Sequence, residues 1–297
     1  MRQTLGGLLV SIITPFDRVT GDVAPVALRS NARALLDQGV AGILATGSTG
    51  EAALLGDEEY EQVVAWLRDV VPEDRLLVAG AGRESTRATI AACRTAGEHG
   101  ADAALVRPPA HYGPSLSSAD LIEHFRRVAE ASPIPVLAYN IPKYTHLALH
   151  ESVIGALSEH PNLVGAKDSS GDLKNFAAYR KAAPEWALFV GSGSHYYAAL
   201  ELGAVGGVLA VAMFAAPVAL EVDRAFAGGD RPGAGAAQER LSPLNQAVVS
   251  ERGVPGIKAA SDLVGLDGGP VRAPLRDLRP ADRDAVEAVL RDAGLAA

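Results

Sequence analysis

Eight short, almost continuously apolar segments punctuate the chain, at 8–14, 42–45, 76–79, 103–106, 136–139, 163–166, 188–190 and 208–211. They have strand length, are rich in Val, Ile and Leu, and are apolar on both faces, so they are expected to be covered on both sides. Between them apolar residues recur at helical spacing, over 25–38, 57–70, 86–99, 119–131, 151–159, 175–182 and 195–202. Strands alternating with helices imply a parallel sheet, and eight such units predict an α/β chain folded as a (β/α)8 TIM barrel. A doubly wound open sheet is the competing architecture, but no Gly-x-Gly-x-x-Gly follows the first strand. Asp57, Ser85 or Thr86, and Ser118 stand where helix N-caps are expected, and Gly39, Gly100 and Gly203 where helices should end.

Beyond Val211 the texture changes. The turn cluster Gly228-Gly229-Asp230-Arg231-Pro232-Gly233 precedes helical spacing over 236–250 and 256–264; Gly268-Gly269-Pro270 precedes a last helix over 281–293. The expected organisation is a barrel over 1–225 and a C-terminal helical extension over 226–297, packed on the barrel.

Composition narrows the chemistry. With 297 residues, 48% of them hydrophobic, and a mean hydropathy of +0.13, there is enough apolar material for a large core. A formal charge of -8 argues against nucleic acid as a partner. No apolar run is long enough to span a membrane and residues 1–14 lack a signal-peptide pattern, so a cytoplasmic protein is expected. Cys93 is the only cysteine, which excludes an intramolecular disulfide and a Cys-based metal cage; it reads as a small buried residue. His146 and His150 share an i, i+4 spacing but lack the acidic residue of His-Glu-x-x-His, so no metal is expected.

In a barrel of this kind the chemistry sits where strands run into the following helices. Lys167 ends the apolar run 163–166 in a chain with only five lysines against 22 arginines. Removing a lysine ammonium from water disfavours its charged form and frees the amine to attack a carbonyl; the competing reading is an ion pair with Asp168 or Glu51. Gly47-Ser48-Thr49-Gly50-Glu51 follows the second run and offers backbone N–H groups and two hydroxyls as an anion cradle, although it is no nucleotide P-loop and can equally be a plain turn. Tyr139 ends the fifth run, where a phenol can relay protons or simply be buried. Arg107 ends the fourth and could face an anionic substrate or sit in a salt bridge.

Taken together, these strand ends resemble the pyruvate-dependent class I aldolases, the family that includes dihydrodipicolinate synthase, N-acetylneuraminate lyase and 4-hydroxy-2-oxoglutarate aldolase. The resemblance runs through Ile13-Thr14-Pro15-Phe16, Gly47-Ser48-Thr49-Gly50-Glu51, Ala79-Gly80-Ala81-Gly82, Tyr139-Asn140-Ile141-Pro142, Gly165-Ala166-Lys167-Asp168-Ser169 and Gly191-Ser192. It implies that Lys167 forms the Schiff base with pyruvate or another 2-oxo acid. Ser48 and Thr49 would hold the carboxylate and join a proton relay with Tyr139, and Gly191 and Val208 would line the pocket. It also implies carbon–carbon lyase activity with an aldehyde as second substrate, no cofactor, and a homo-oligomer, commonly a tetramer built as a dimer of dimers.

Two positions depart from the family pattern. The tyrosine that relatives lend across a subunit interface aligns with His111, with Tyr112 beside it, so either could complete the relay. The arginine with which synthases grip the carboxylate of aspartate semialdehyde is replaced by Tyr144, which lacks a permanently charged fork. The stretches Ser132-Pro133-Ile134-Pro135-Val136 and Gly268-Gly269-Pro270-Val271-Arg272 look most like 4-hydroxy-2-oxoglutarate aldolase, which is the expected activity. His146, where relatives commonly have glycine, could alter which aldehyde fits. The alternatives are a dihydrodipicolinate synthase (4-hydroxy-tetrahydrodipicolinate synthase), a sugar-acid aldolase or dehydratase, and, in another class, a non-catalytic pyruvate-binding regulatory protein.

Overall fold

The computed structural model describes residues 5–296. Its strands are β1 (Gly7–Ser11), β2 (Gly42–Ala45), β3 (Leu76–Gly80), β4 (Ala103–Val106), β5 (Val136–Asn140), β6 (Leu163–Asp168), β7 (Ala187–Val190) and β8 (Gly206–Leu209). All pair in parallel in chain order, and β8 closes onto β1. Parallel neighbours need a crossover connection. The crossovers carry α1 (Pro25–Asp37), α2 (Asp57–Arg68), α3 (Thr86–Glu98), α4 (Ser118–Ala131), the one-turn α5 (Pro142–Thr145) with α6 (Glu151–Leu157), α7 (Leu173–Ala182) and α8 (Tyr196–Glu201). The expected (β/α)8 barrel is therefore the fold.

Alternation along the strands builds two apolar layers. Leu9, Leu44, Val78, Leu105, Leu137, Phe189 and Val208 fill the barrel interior, while Leu8, Val10, Ile43, Leu77, Ala104, Ala138 and Ala166 meet the helices outside. Continuous apolarity in the sequence thus reflects burial on both faces.

The boundaries differ where polarity and strand pairing part company. The first strand stops at Ser11 rather than residue 14, because Thr14 turns its hydroxyl to the carbonyl of Gly50 at 2.7 Å and starts a loop. The last strand lies two residues earlier than its apolar run, since Gly206 and Gly207 pair with Gly7 and Leu8. A Cβ on Gly206 would fall 2.0 Å from the Gly7 carbonyl oxygen, so that strand must begin with a residue no hydrophobicity pattern reveals. Two N-caps were expected one residue late. Gly56 caps α2, and Ser117 caps α4 through a reciprocal box with Asp120. Ser85 caps α3, accepting from the Ala88 N–H.

Four helices follow β8: α9 (Ala212–Ala227), α10 (Arg231–Leu244), α11 (Glu251–Leu263) and α12 (Pro280–Asp292), with a π-helical turn at Asn245–Ser250 between α10 and α11. Helical spacing did not single out α9, because nearly every residue over 212–222 is buried and no polar face marks the period. Leu241, Leu244, Val248, Ile257, Val286 and Leu290 join the same apolar cluster as the barrel helices. No described helix is long and apolar enough to cross a membrane.

His124 on α4 is buried, with Nδ1 2.9 Å from the Thr86 hydroxyl and Nε2 unpartnered. Burial, with the nearby Arg107 charge, pushes its pKa down to about 4 from an ordinary 6.5. The unfolded chain therefore takes up a proton at a higher pH than the folded one, so stability is full above pH 6.5 and falls as pH drops toward 4. Urea midpoints of a His124→Gln variant are expected to fall less steeply over that window than those of the wild type.

Candidate active site

Strand register assembles the centre. Tyr139 on β5 lies beside Lys167 on β6, which lies beside Phe189 on β7. Ala166 packs in the outer layer, so Lys167, one residue on, turns into the barrel mouth, where it is 4% exposed. Its Nζ stands 4.5 Å from the centroid of the Tyr139 ring, within cation–π range. Neither ion pair left open by the sequence forms. Asp168 accepts from Asn140 Nδ2 (2.8 Å), the Ser170 N–H (3.0 Å) and hydroxyl (2.9 Å), and Asn175 Nδ2 (3.2 Å). Glu51 is engaged elsewhere. Among the described residues, Lys167 has no carboxylate partner.

The amine opens onto a cavity of about 290 Å³ whose wall includes Ser48, Thr49, Tyr139, Tyr144, Gly191 and Val208. Among the described residues neither the Ser48 nor the Thr49 hydroxyl is used in a side-chain hydrogen bond, so both are available as donors to an anion. Gly191 is dictated by space: a Cβ there would lie 1.8 Å from the Ser169 hydroxyl oxygen and 3.0 Å from Lys167 Cε. Tyr144 on α5 is half exposed, and burial of its ring together with Tyr139 pushes its pKa up. A second cavity, of about 710 Å³, shares Ser48, Tyr139 and Tyr144 with the first and leads past Arg107. Arg107 is held by Glu84 at 2.8 Å.

The loop carrying Ser48 and Thr49 is bracketed by two non-glycine residues in the left-handed region, Thr46 (φ 48°) and Glu51 (φ 55°). Such positions cost roughly 1–3 kcal/mol each and persist only where surroundings hold them. The restraint comes from the C-terminal helices. Lys258 of α11 places Nζ 2.6 Å from Glu51 Oε1, with side chains 2% and 0% exposed. Lys258 also donates to the Pro270 carbonyl at 2.6 Å and lies 4.4 Å from the Phe16 ring centroid. Burial lowers its pKa while Glu51 pulls it back up. The second Glu51 oxygen accepts the Arg272 N–H at 2.8 Å, and the Arg272 guanidinium forks onto Glu59 at 2.6 Å to each oxygen. Sequence reasoning missed this support. A lysine within the apolar run Ile257, Ala259 and Ala260 of so lysine-poor a chain was the available signal.

The π-helical turn and the kink at Gly253 (φ 60°) bring Asn245, Ser250, Val254 and Ile257 over the cavity as a roof. His111 and Tyr112 are not brought in. Their rings meet edge to face at 4.7 Å on the loop after β4, Tyr112 is 69% exposed, and neither lines the two cavities of its own chain. Glu84 fixes that loop, accepting from the N–H groups of Ala110 and His111. His146 is exposed in a left-handed turn at the end of α5, and His150 caps α6. Cys93 is fully buried, and burial raises its pKa to about 12.

Residues 4–293 match the Dihydrodipicolinate synthetase family. An uncharacterised DapA-like lyase of Halobacterium salinarum is 37% identical over 291 residues, covering 98% of this chain and 95% of the relative. A 4-hydroxy-tetrahydrodipicolinate synthase of Methanothrix thermoacetophila is 36% identical over 288 residues, covering 96% and 95%. Among solved structures, the dihydrodipicolinate synthase of Acinetobacter baumannii, complexed with pyruvate, superposes with a TM-score of 0.94 at 30% identity, covering 98% of this chain and all of that one.

Proposed function

The chain belongs to the dihydrodipicolinate synthetase family of carbon–carbon lyases, and from that premise we propose that Lys167 condenses with pyruvate and that the enzyme makes or breaks a bond at the pyruvate methyl carbon. The observation that carries this reading is a buried amine with no carboxylate partner, facing a phenol and two uncommitted hydroxyls. The free amine attacks the keto carbon to give a carbinolamine. Tyr139 passes a proton to the departing oxygen, which leaves as water, and an iminium remains. The iminium withdraws electrons, so a methyl proton is lost and an enamine forms. The enamine carbon attacks the aldehyde carbon, the new alkoxide takes a proton, and water returns the amine and releases product. Cleavage runs through the same states backwards.

In this scheme Ser48 and Thr49 hold the pyruvate carboxylate, Gly191 and Val208 shape the space beside it, and no step calls on a metal or organic cofactor. Completion of the relay by His111 or Tyr112 requires a second copy of the chain, because neither lines a cavity of its own chain, so we assign the working form to a homo-oligomer. A Tyr139→Phe variant is expected to lose about 10²–10⁴-fold in kcat, the usual scale for removing a positioned proton-transfer group. Pyruvate should still form its adduct with this variant, more slowly; stopped-flow trapping checks both.

Two acceptors remain in play. The names of the relatives support 4-hydroxy-tetrahydrodipicolinate synthase, with aspartate semialdehyde as acceptor, better than they support the 4-hydroxy-2-oxoglutarate reading. Tyr144 supports the latter, with glyoxylate, because a phenol cannot grip a carboxylate in a bidentate fork. Rates of pyruvate consumption with each aldehyde decide: faster turnover with glyoxylate supports the aldolase, faster turnover with aspartate semialdehyde the synthase. An adduct without turnover on any aldehyde would support a binding protein instead.

A further inference from the structure

We infer that Lys143 is the group that recognises the distal acidic function of the second substrate, and that this enzyme selects aldehydes and 2-oxo acids carrying a carboxylate at the far end. The inference rests on the Schiff-base reading and adds to it a specificity residue and a substrate class.

Charge bookkeeping around the two cavities singles out this residue. Lys143 and Lys167 are the cations lining the smaller cavity; Arg107, Lys143 and Arg252 line the larger. Arg107 is neutralised by Glu84 at 2.8 Å and also donates to the Pro108 carbonyl. Arg252 faces Glu251 at 3.3 Å and donates to the Ala247 carbonyl. Lys143 has only a long contact to the Ser250 carbonyl, 3.4 Å, and a position 5.7 Å from the Tyr144 ring centroid. Among the described residues no carboxylate pairs with it. Apart from the Schiff-base lysine, it is the one cation of the cavity walls without an acidic partner, and it borders both cavities.

Its placement suits the task. Lys143 lies four residues after Tyr139, on the single turn of α5, and Thr145 anchors that turn through its hydroxyl to the Ile141 and Leu147 carbonyls. A ligand bonded to Lys167 and extending out of the smaller cavity therefore meets an anchored backbone carrying a flexible ammonium. The side chain is exposed, and its amino group offers a compact set of rotatable donors rather than a fork. Tyr144 beside it contributes a hydroxyl but no charge. Glyoxylate and aspartate semialdehyde both bear the carboxylate that such a group would attract, so the inference holds for either acceptor.

The test uses Schiff-base trapping and so needs no turnover. Wild-type protein is reduced with borohydride at increasing pyruvate, 2-oxoglutarate or 2-oxopentanoate, the last two matched in chain length and differing in the distal carboxylate. Half-saturation is expected at lower concentration for 2-oxoglutarate than for 2-oxopentanoate. Lys143→Met should raise the 2-oxoglutarate value by about tenfold, the scale of one charge-assisted hydrogen bond in a partly shielded site. The pyruvate and 2-oxopentanoate values should stay where they are, and Lys143→Arg should keep the preference. Equal half-saturation for the two long acids in the wild type, or a preference that survives Lys143→Met, would overturn the inference while leaving the Schiff base intact. Survival in Lys143→Met with loss in Arg252→Met would transfer the role to Arg252. No adduct with pyruvate in the wild type would overturn the functional reading and this inference together.

Discussion

Lys167→Met removes turnover, by at least about 10⁴-fold in kcat/KM, the scale on which deleting an activated nucleophile acts. The change is close to isosteric and takes an amino group with no carboxylate partner out of a 4% exposed position, so the thermal midpoint should hold or rise. That combination distinguishes a chemical role from a structural one: a lysine kept for an ion pair would take stability with it when replaced. The neighbouring carboxylates argue the same way. Asp168 is saturated by amide, hydroxyl and backbone donors, and Glu51 faces another lysine. Substantial residual turnover in Lys167→Met, measured with the wild type's best aldehyde, would transfer the amine chemistry to a different group.

Lys258→Met produces the largest loss of stability. It strands the Glu51 carboxylate, 0% exposed, with only the Arg272 N–H as a donor. Breaking a buried pair from one side costs about 3–5 kcal/mol, which for a chain of this size lowers the thermal midpoint by roughly 5–8 °C. Replacing both partners, as Lys258→Met with Glu51→Leu, should recover much of the loss, because an apolar pair carries no uncompensated charge. Recovery stays incomplete, since the Arg272 N–H then lacks its acceptor. Calorimetry of the single and double variants checks the order. A single variant as stable as the wild type would contradict the view that this pair clamps the loop of Ser48 and Thr49. At temperatures where the single variant remains folded, the same loop displacement should raise KM for pyruvate.

Local pattern carried most of the architecture. Runs apolar on both faces, alternating with amphipathic segments, report a parallel barrel directly, because burial on two sides and on one side leave different periods. Lys167 and Tyr139 could be read for the same reason: each ends such a run, and the barrel puts strand ends at the mouth. The misses are contacts that local sequence does not encode. Gly206 opens a strand because of a backbone approach from Gly7, at the far end of the barrel sequence. Lys258 meets Glu51 across more than 200 residues, and the roof of the cavity depends on a π-helical turn and a left-handed Gly253 that interrupt a helical pattern. Nothing in the local sequence separates Lys143 from an ordinary surface charge; it stands out only through the ion pairs that occupy Arg107 and Arg252. His111 and Tyr112 lie outside the two cavities of a single chain, so a part in the chemistry would require a second copy of the chain.

The central claim is that one amine, on Lys167, bonds to pyruvate. Wild-type protein incubated with pyruvate and reduced with borohydride, then digested and mapped by mass spectrometry, should carry the reduced pyruvyl adduct on the peptide containing Lys167. The peptides containing Lys143, Lys174, Lys181 and Lys258 should be unmodified, and Lys167→Met should yield no adduct. Unmodified Lys167 at saturating pyruvate, or an adduct on another lysine that persists in Lys167→Met, would contradict the account.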